Sequence, residues 1–149
     1  MSVTVRLDSS GARARAEAAA RRATQVVMGE LSAAFQQSFT AVAWNWPRQT
    51  VRSNGSVVGS PRNTIDTALL RQSHRWQMTG PYQATFYWGG GSVQYASAVF
   101  NGAVLRNGTR LPARPLQRAV MGQENVDGVV VYNLDDRLRN VWMGYLRGR

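Results

Sequence analysis

The chain has 149 residues, a formal net charge of +10 and no Cys, and all 18 of its basic residues are Arg. This length suits one domain, and the lack of Cys excludes disulfides, a thiolate nucleophile and a zinc finger. No apolar stretch approaches the ~20 residues of a membrane span, so we expect a soluble protein with no membrane partner. Cations that are all Arg suit nucleic acid or acidic proteins, although a GC-rich genome would also produce them.

Residues 3–43 predict a short strand followed by a long helix. Apolar and polar residues alternate over 3–7, and the side-chain oxygens of residues 8–10 suit a helix cap. From Ala12 to about Val42 there is no Pro, and apolar residues recur at three- and four-residue steps. The small residues near the helix start would let a neighbouring subunit approach closely, whereas the aromatic residues near its end suit the core. These recurring positions are Ala16, Ala20, Ala23, Val27, Leu31, Ala34, Phe35, Phe39 and Val42.

Arginines also occur on this helix, away from the alanine stripe. They are Arg13, Arg15, Arg21 and Arg22. A solvated face is the simplest interpretation, and contact with an acidic partner or with DNA is the alternative.

Residues 44–64 predict an extended loop, or arm. The segment has no sustained period, contains Pro47, Gly55, Gly59 and Pro61, and is longer than most loops in compact domains. Its tryptophans, Trp44 and Trp46, either fill a pocket of a partner or cover the core of their own domain.

Residues 65–120 predict a sheet and short helices. The pattern gives a helical turn over 65–70 with Leu69 inward, strands over 73–78 and 82–88, a helical turn over 95–100, a type I′ hairpin at Asn107-Gly108, and a helix over 115–120. Within 121–149, a C-terminal helix is expected from about Asn133, with Asn133 and Asp136 spaced as a cap and its N3 carboxylate. The fold class predicted for the single domain 1–149 is α+β, with an antiparallel sheet packed against the two helices.

The sequence offers no convincing catalytic or metal site. The lone histidine, His74, lies in a predicted strand and is interpreted as a packed residue. The adjacent pair Asp135-Asp136 would diverge on a helix and suits the helix N-terminus instead. Asp66 is expected to cap a helix or pair with Arg, and the triple glycine 89–91 lacks the residues of a phosphate loop. We therefore expect a non-enzyme without metal or cofactor.

A series of short motifs resembles the head-to-tail joining proteins of tailed bacteriophages, the neck or tail-completion family that includes minor tail components. In that family an Ile/Val-Asp-Thr-Gly-x-Leu-x-x-Ser segment corresponds to residues 65–73 here, with Ala68 where Gly is usual. The motifs cover about half of the chain. They are Trp46-Pro47-Arg48, Ser60-Pro61-Arg62-Asn63-Thr64-Ile65-Asp66-Thr67, Tyr95-Ala96-Ser97-Ala98-Val99 and Pro112-Ala113-Arg114-Pro115.

The resemblance implies a virion protein that forms a ring, usually six- or twelve-fold, at the head-to-tail joint. Its partners would be other copies of itself, the portal or connector on the capsid side, and the tail tube or tail terminator, with packaged DNA nearby. Under this hypothesis the interface residues are Trp44, Trp46, Arg48, Arg62, Asp66 and Arg114. Ordinary packing or capping is the alternative for each. A non-specific nucleic-acid-binding module is the second hypothesis for the whole chain, and a small hydrolase with an unrecognised site is a third.

Overall fold

The computed structural model describes residues 10–42, 44–63 and 68–148. Within these ranges the chain forms five α-helices and three two-stranded antiparallel sheets. The predicted α+β class is therefore confirmed. The predicted strand over 3–7 lies outside the described residues. No helix in the described ranges combines the length and the apolar character needed to cross a membrane.

Helix α1, Ser10–Ala41, is the longest element, with 32 residues and a length of about 48 Å at 1.5 Å per residue. The helix predicted from Ala12 to about Val42 is thus confirmed. Its continuous buried face begins only at Ala19 and runs through Phe39. Before Ala19 none of the described residues of the helix is buried, and Ala16 is only partly covered. The aromatic second half therefore serves the core, as the sequence indicates.

The C-terminal helix α5, Leu134–Leu146, packs against α1. Its predicted start is confirmed, because the Asn133 side chain accepts a hydrogen bond from the Asp136 amide at 3.3 Å. The segment before α5 is also fixed to α1, since the Val130 amide donates to the buried Ser38 hydroxyl at 3.0 Å. The two longest helices thus form one layer of the domain.

The strands form separate hairpins rather than one sheet. The central hairpin lies on the core, where Trp76, Ala84 and Phe86 pack against it, and the other two hairpins have largely exposed strands. The predicted antiparallel sheet therefore consists of isolated pairs. These are β1 Thr50–Val51 with β2 Val57–Val58, β3 Arg75–Gly80 with β4 Gln83–Tyr87, and β5 Ala103–Val104 with β6 Arg110–Leu111.

The two outer hairpins share one turn construction. In each, a backbone hydrogen bond joins the residue after the first strand to the residue before the second. An Asn side chain in the turn also accepts a hydrogen bond from the backbone N–H two residues later. Asn54 accepts from Ser56 at 3.0 Å, and Asn107 accepts from Thr109 at 3.1 Å. Gly55 and Gly108 have φ of 82° and 78°. The predicted type I′ turn is wrong, because that turn needs positive φ at both residues and Asn107 does not have it.

Three short helices connect the hairpins: α2 Leu69–Gln72, α3 Ala96–Asn101 and α4 Leu116–Val120. The last two confirm the turns predicted over 95–100 and 115–120. Residues 65–67 of the turn predicted over 65–70 lie outside the described residues. Helix α2 itself begins at Leu69, directly after Ala68, which has a left-handed backbone with φ of 63°. In α2, Leu70 is buried and Leu69 is 40% exposed. The prediction of Leu69 as an inward residue is wrong.

The core lies between α1 and the central hairpin. His74 belongs to it, because its ring stacks on Phe86 with centroids 5.5 Å apart and contacts Phe35 and Trp88 at 5.9 and 5.0 Å. Burial lowers the pKa of His74 and favours a neutral ring. The prediction of a packed histidine is confirmed.

Candidate functional site

The arm, of which residues 44–63 are described, is closed at its base by its own backbone. The Trp44 amide donates to the Arg62 carbonyl at 2.7 Å, and the Arg62 amide donates to the Trp44 carbonyl at 2.9 Å. Trp46 is fixed as well, because its indole Nε1 donates to the Arg62 carbonyl at 3.2 Å and its amide donates to the Ser60 hydroxyl at 2.9 Å. The segment is an ordered hairpin and not the irregular loop that its composition predicts.

Arginine side chains brace this hairpin from within. Arg62 donates through Nη1 to the Val58 carbonyl at 2.8 Å and through Nη2 to the Thr50 hydroxyl. Arg52 donates to the Asn63 side chain at 3.1 Å. A planar guanidinium group can donate to several acceptors at once. Strands β1 and β2 are only two residues long each, so these arginine hydrogen bonds add to the few backbone bonds that connect them.

Two guanidinium groups lie over the indole ring of Trp46. The Cζ of Arg62 is 4.0 Å from the ring centroid, and the Cζ of Arg114 is 3.7 Å from it. Both distances fall within the range of cation–π attraction. The three residues come from three different motifs of the sequence and form one cluster, which we call the Trp46 cluster.

The Arg114 side chain is buried and has no polar partner in the part of the chain that the structure describes. Arg114 is 1% exposed, and among the described residues its Nε, Nη1 and Nη2 atoms make no hydrogen bond. Burial, with a smaller contribution from the neighbouring charge of Arg62, lowers the pKa of Arg114. A buried cation of this kind is costly unless something compensates its charge.

The backbone around Arg114 is held closely. Its amide donates to the Val99 carbonyl at 3.1 Å, and α4 begins two residues later, at Leu116. At Gly102, φ is 76° and an added Cβ would lie 2.8 Å from the Leu111 carbonyl oxygen and 2.9 Å from the Ala113 amide. Only glycine fits such a close approach, and this contact fixes the path of the chain that delivers Arg114 to Trp46.

A cavity of about 270 Å³ lies beside the Trp46 cluster, between the arm and the β5–β6 hairpin. Arg48 crosses it and donates to the Thr109 hydroxyl, which joins the two hairpins. We call this space the arm cavity. Its walls are Trp46, Pro47, Arg48, Thr50, Leu105, Asn107, Thr109 and Leu111.

The structure brings together most of the predicted interface residues. Trp46, Arg48, Arg62 and Arg114 meet at the arm cavity or at the Trp46 cluster. Trp44 packs against the domain core. The predicted Asp66 lies outside the described residues. The cavity-lining residues of the β5–β6 hairpin were missed. An Asn-Gly turn predicts a hairpin but does not indicate which part of the molecule that hairpin contacts.

The arginines of α1 lie elsewhere on the molecule. All four are exposed; Arg13 pairs with Glu17 at 2.9 Å, and Arg15 donates to the Gly11 carbonyl at 3.3 Å. Next to them a groove of about 470 Å³ separates α1 from α5 and has Leu138 and Trp142 in its wall. In the described part of the chain, no group of three or more His, Asp or Glu residues is arranged to hold a metal ion.

Comparison of the chain with protein-family models, with curated proteins and with solved structures finds no match. The resemblance to the phage joining proteins is therefore one of short sequence motifs alone. The geometry adds two observations to them. Three motifs meet at Trp46, and Ala68, where the family pattern has Gly, adopts the positive φ that Gly favours.

Proposed function

We propose that this chain is a structural virion protein of a tailed phage, which forms a ring in the neck and joins the portal or connector of the capsid to the tail. The convergence of Trp46, Arg62 and Arg114 carries the proposal. These residues belong to separate motifs that resemble the joining family, and their meeting in one cluster indicates that the motifs act as a unit.

The backbone at Ala68 supports the resemblance independently. The joining-family pattern has Gly at this position, and here the residue has φ of 63°. A left-handed backbone is the usual reason for a glycine in a fixed pattern. The same local conformation is thus reached in this chain without the residue that would favour it.

A closed ring needs two unlike surfaces, because each subunit presents one patch to the neighbour on one side and another patch to the neighbour on the other side. The arm and the β5–β6 hairpin offer one such surface, with Val51 and Val104 more than half exposed. The side of the domain that carries α5 offers a second, where the first turn of the helix holds Asp135 and the groove against α1 leaves Trp142 39% exposed. Exposed apolar groups of this kind favour protein contacts.

Non-specific binding of nucleic acid is the second candidate function. It is favoured by the exposed arginines of the first half of α1 and by the net charge of +10. Backbone phosphates would be the contacts, and binding would weaken steeply with salt. In a neck ring this property would serve DNA that passes through the channel, so the two functions are compatible.

The ring is tested by weighing the purified protein, alone and mixed with its genomic neighbours among the neck proteins. Mass photometry and negative-stain images should give closed particles with six or twelve copies of the chain. The neighbours are included because some assemblies order their loops only on docking. A chain that stays monomeric in every mixture and is missing from purified particles would contradict the proposal.

A further inference from the structure

We propose that the arm cavity binds a carboxylate side chain from residues 124–136 of a second copy of this chain. The inference rests on the proposed function, since it names the contact between neighbouring subunits of the ring. It joins a cation-rich surface to the one acid-rich segment of the same sequence.

Among the described residues, the two segments that enclose the arm cavity carry positive charge only. Residues 44–63 and 103–114 contain six arginines and no acidic residue. They are Arg48, Arg52, Arg62, Arg106, Arg110 and Arg114. We call this surface the basic face. An acidic group that approaches it meets no repulsion from the face itself.

The Trp46 cluster concentrates that charge behind the cavity wall. The Arg114 guanidinium lies 3.7 Å from the Trp46 ring centroid, is 1% exposed, and has no hydrogen-bond partner among the described residues. Cation–π contacts with one indole ring offset only part of the cost of burying a cation. Within the described residues the charge of Arg114 is therefore only partly compensated, and it adds to the positive potential around Trp46, which lines the cavity.

The cavity itself suits a carboxylate on a short apolar stem. The guanidinium of Arg48 and the amide of Asn107 supply donors at its wall, and Thr109 supplies a hydroxyl. Leu105 and Leu111 form apolar walls that would pack against the methylene groups of an Asp or Glu. A charge-assisted hydrogen bond in such surroundings is stronger than one in open water.

The acidic partner is present in the chain. Four of its eight acidic residues lie within 124–136, where there is no Arg. Glu124 pairs with Arg118 at 3.1 Å, and Asp136 accepts a hydrogen bond from Asn133. Asp127 and Asp135 are exposed and make no hydrogen bond or ion pair within the described ranges. These two carboxylates are accordingly the ones we assign to the arm cavity of the neighbour.

A protein carboxylate fits this site better than a nucleic-acid phosphate. Arg52 and Arg62 use donors inside the arm, Arg48 donates to Thr109, and Arg114 is buried. Of the six arginines, only Arg106 and Arg110 are exposed without a hydrogen bond in the described structure. Phosphate binding draws on many contacts with exposed cations along a backbone. Here the potential is focused on one small cavity, which matches a single side chain.

The test measures self-association of the full chain by sedimentation velocity at low salt. Three variants are compared with the wild type: Arg48→Glu, the double variant Asp127→Arg with Asp135→Arg, and Arg21→Glu on α1, a control whose charge change equals that of Arg48→Glu. Circular dichroism melting checks that each variant is folded. Binding of a short DNA duplex is measured for the same samples.

The first two variants should each raise the dissociation constant of self-association about tenfold or more, because like charges then face each other. A mixture of these two variants should associate again, since the exchanged charges are complementary, and Arg21→Glu should behave as the wild type. Equal association of all the proteins, or no association of the wild type, would overturn the inference. So would loss of duplex binding in Arg48→Glu with self-association intact. None of these outcomes bears on whether the protein lies in the neck of the particle.

Discussion

Ala68 holds a backbone conformation that glycine adopts more easily than alanine. Its φ of 63° places Cβ close to the following carbonyl oxygen and costs about 1–2 kcal/mol. Ala68→Gly should therefore increase the free energy of unfolding by about 1 kcal/mol, as measured by urea denaturation. Ala18→Gly, at an exposed position of regular helix α1, is the matched control and should decrease it by about 1 kcal/mol. A decrease in both variants would contradict the strain at residue 68.

Arg114 gives a second prediction for a single residue. Because its buried guanidinium has no hydrogen-bond partner in the described structure, Arg114→Met should leave the stability of the isolated chain unchanged or raise it by about 1 kcal/mol. Arg62→Met is the control: it removes hydrogen bonds to Val58 and Thr50 and should lower stability by about 1–2 kcal/mol. Thermal melting of both variants in dilute solution measures the difference. A large loss in Arg114→Met would show that the charge is compensated within the chain.

Helices α1 and α5 are held together by a polar clasp. Glu30 on α1 accepts hydrogen bonds from the Arg137 guanidinium at 2.6 and 2.8 Å and from the Tyr132 hydroxyl at 2.6 Å. These bonds, that of Arg137 most strongly, lower the pKa of Glu30 to about 2. Burial and the Glu30 carboxylate raise the pKa of Tyr132, which keeps its proton. The clasp therefore works only while Glu30 is ionised.

The clasp predicts a pH dependence of stability. The pKa of Glu30 is depressed in the folded chain, from 4.5 to about 2, so its stabilisation is present above about pH 4.5 and is lost as the pH falls towards 2. Solvent screening limits the effect to about 1 kcal/mol. In melting curves recorded between pH 6 and 2, Glu30→Gln should therefore lose less stability on acidification than the wild type. Glu17→Gln, in the exposed pair with Arg13, should not. Identical curves for wild type and Glu30→Gln would contradict the clasp.

At the level of elements, local patterns predict most of the fold. Three features can be recognised from a few neighbouring residues each: the apolar spacing of α1, the Asn133 cap of α5 and the proline before α4. These elements can therefore be predicted from the sequence. The start of α2 was misplaced because alanine at residue 68 gives no sign of positive φ. The arm hairpin was missed although Asn54-Gly55 is the same dipeptide as Asn107-Gly108, because Pro47, Gly59 and Pro61 around it favour a loop.

The candidate site was predicted only in part. The motifs pointed to Trp46, Arg62 and Arg114, but nothing local indicates that residues so far apart in the chain share one indole ring. That juxtaposition depends on tertiary contacts such as the close approach at Gly102. The burial of Arg114 was likewise not foreseen, since Arg is almost never fully buried without a partner.

For the molecule as a whole, the net charge of +10 favours binding of DNA. We expect duplex binding to depend on total charge and not on a groove along α1. Changing Arg13, Arg15, Arg21 and Arg22 to Gln should therefore alter affinity no more than changing Arg106, Arg110, Arg139 and Arg147 to Gln. Fluorescence anisotropy across a salt series measures both. A selective fall in the log–log salt slope, by about 0.9 for each lost phosphate contact, in the α1 variant alone would place DNA on that helix.

The neck ring is the central claim about the whole molecule, and a cryo-electron-microscopy reconstruction of the phage particle tests it most directly. The reconstruction should place copies of this chain in one closed ring between the portal and the tail, with the arm and the β5–β6 hairpin of each copy against its neighbour. Closed rings use such unlike surfaces. A particle whose neck contains no copy of the chain would contradict the claim, as would copies bound singly at another site.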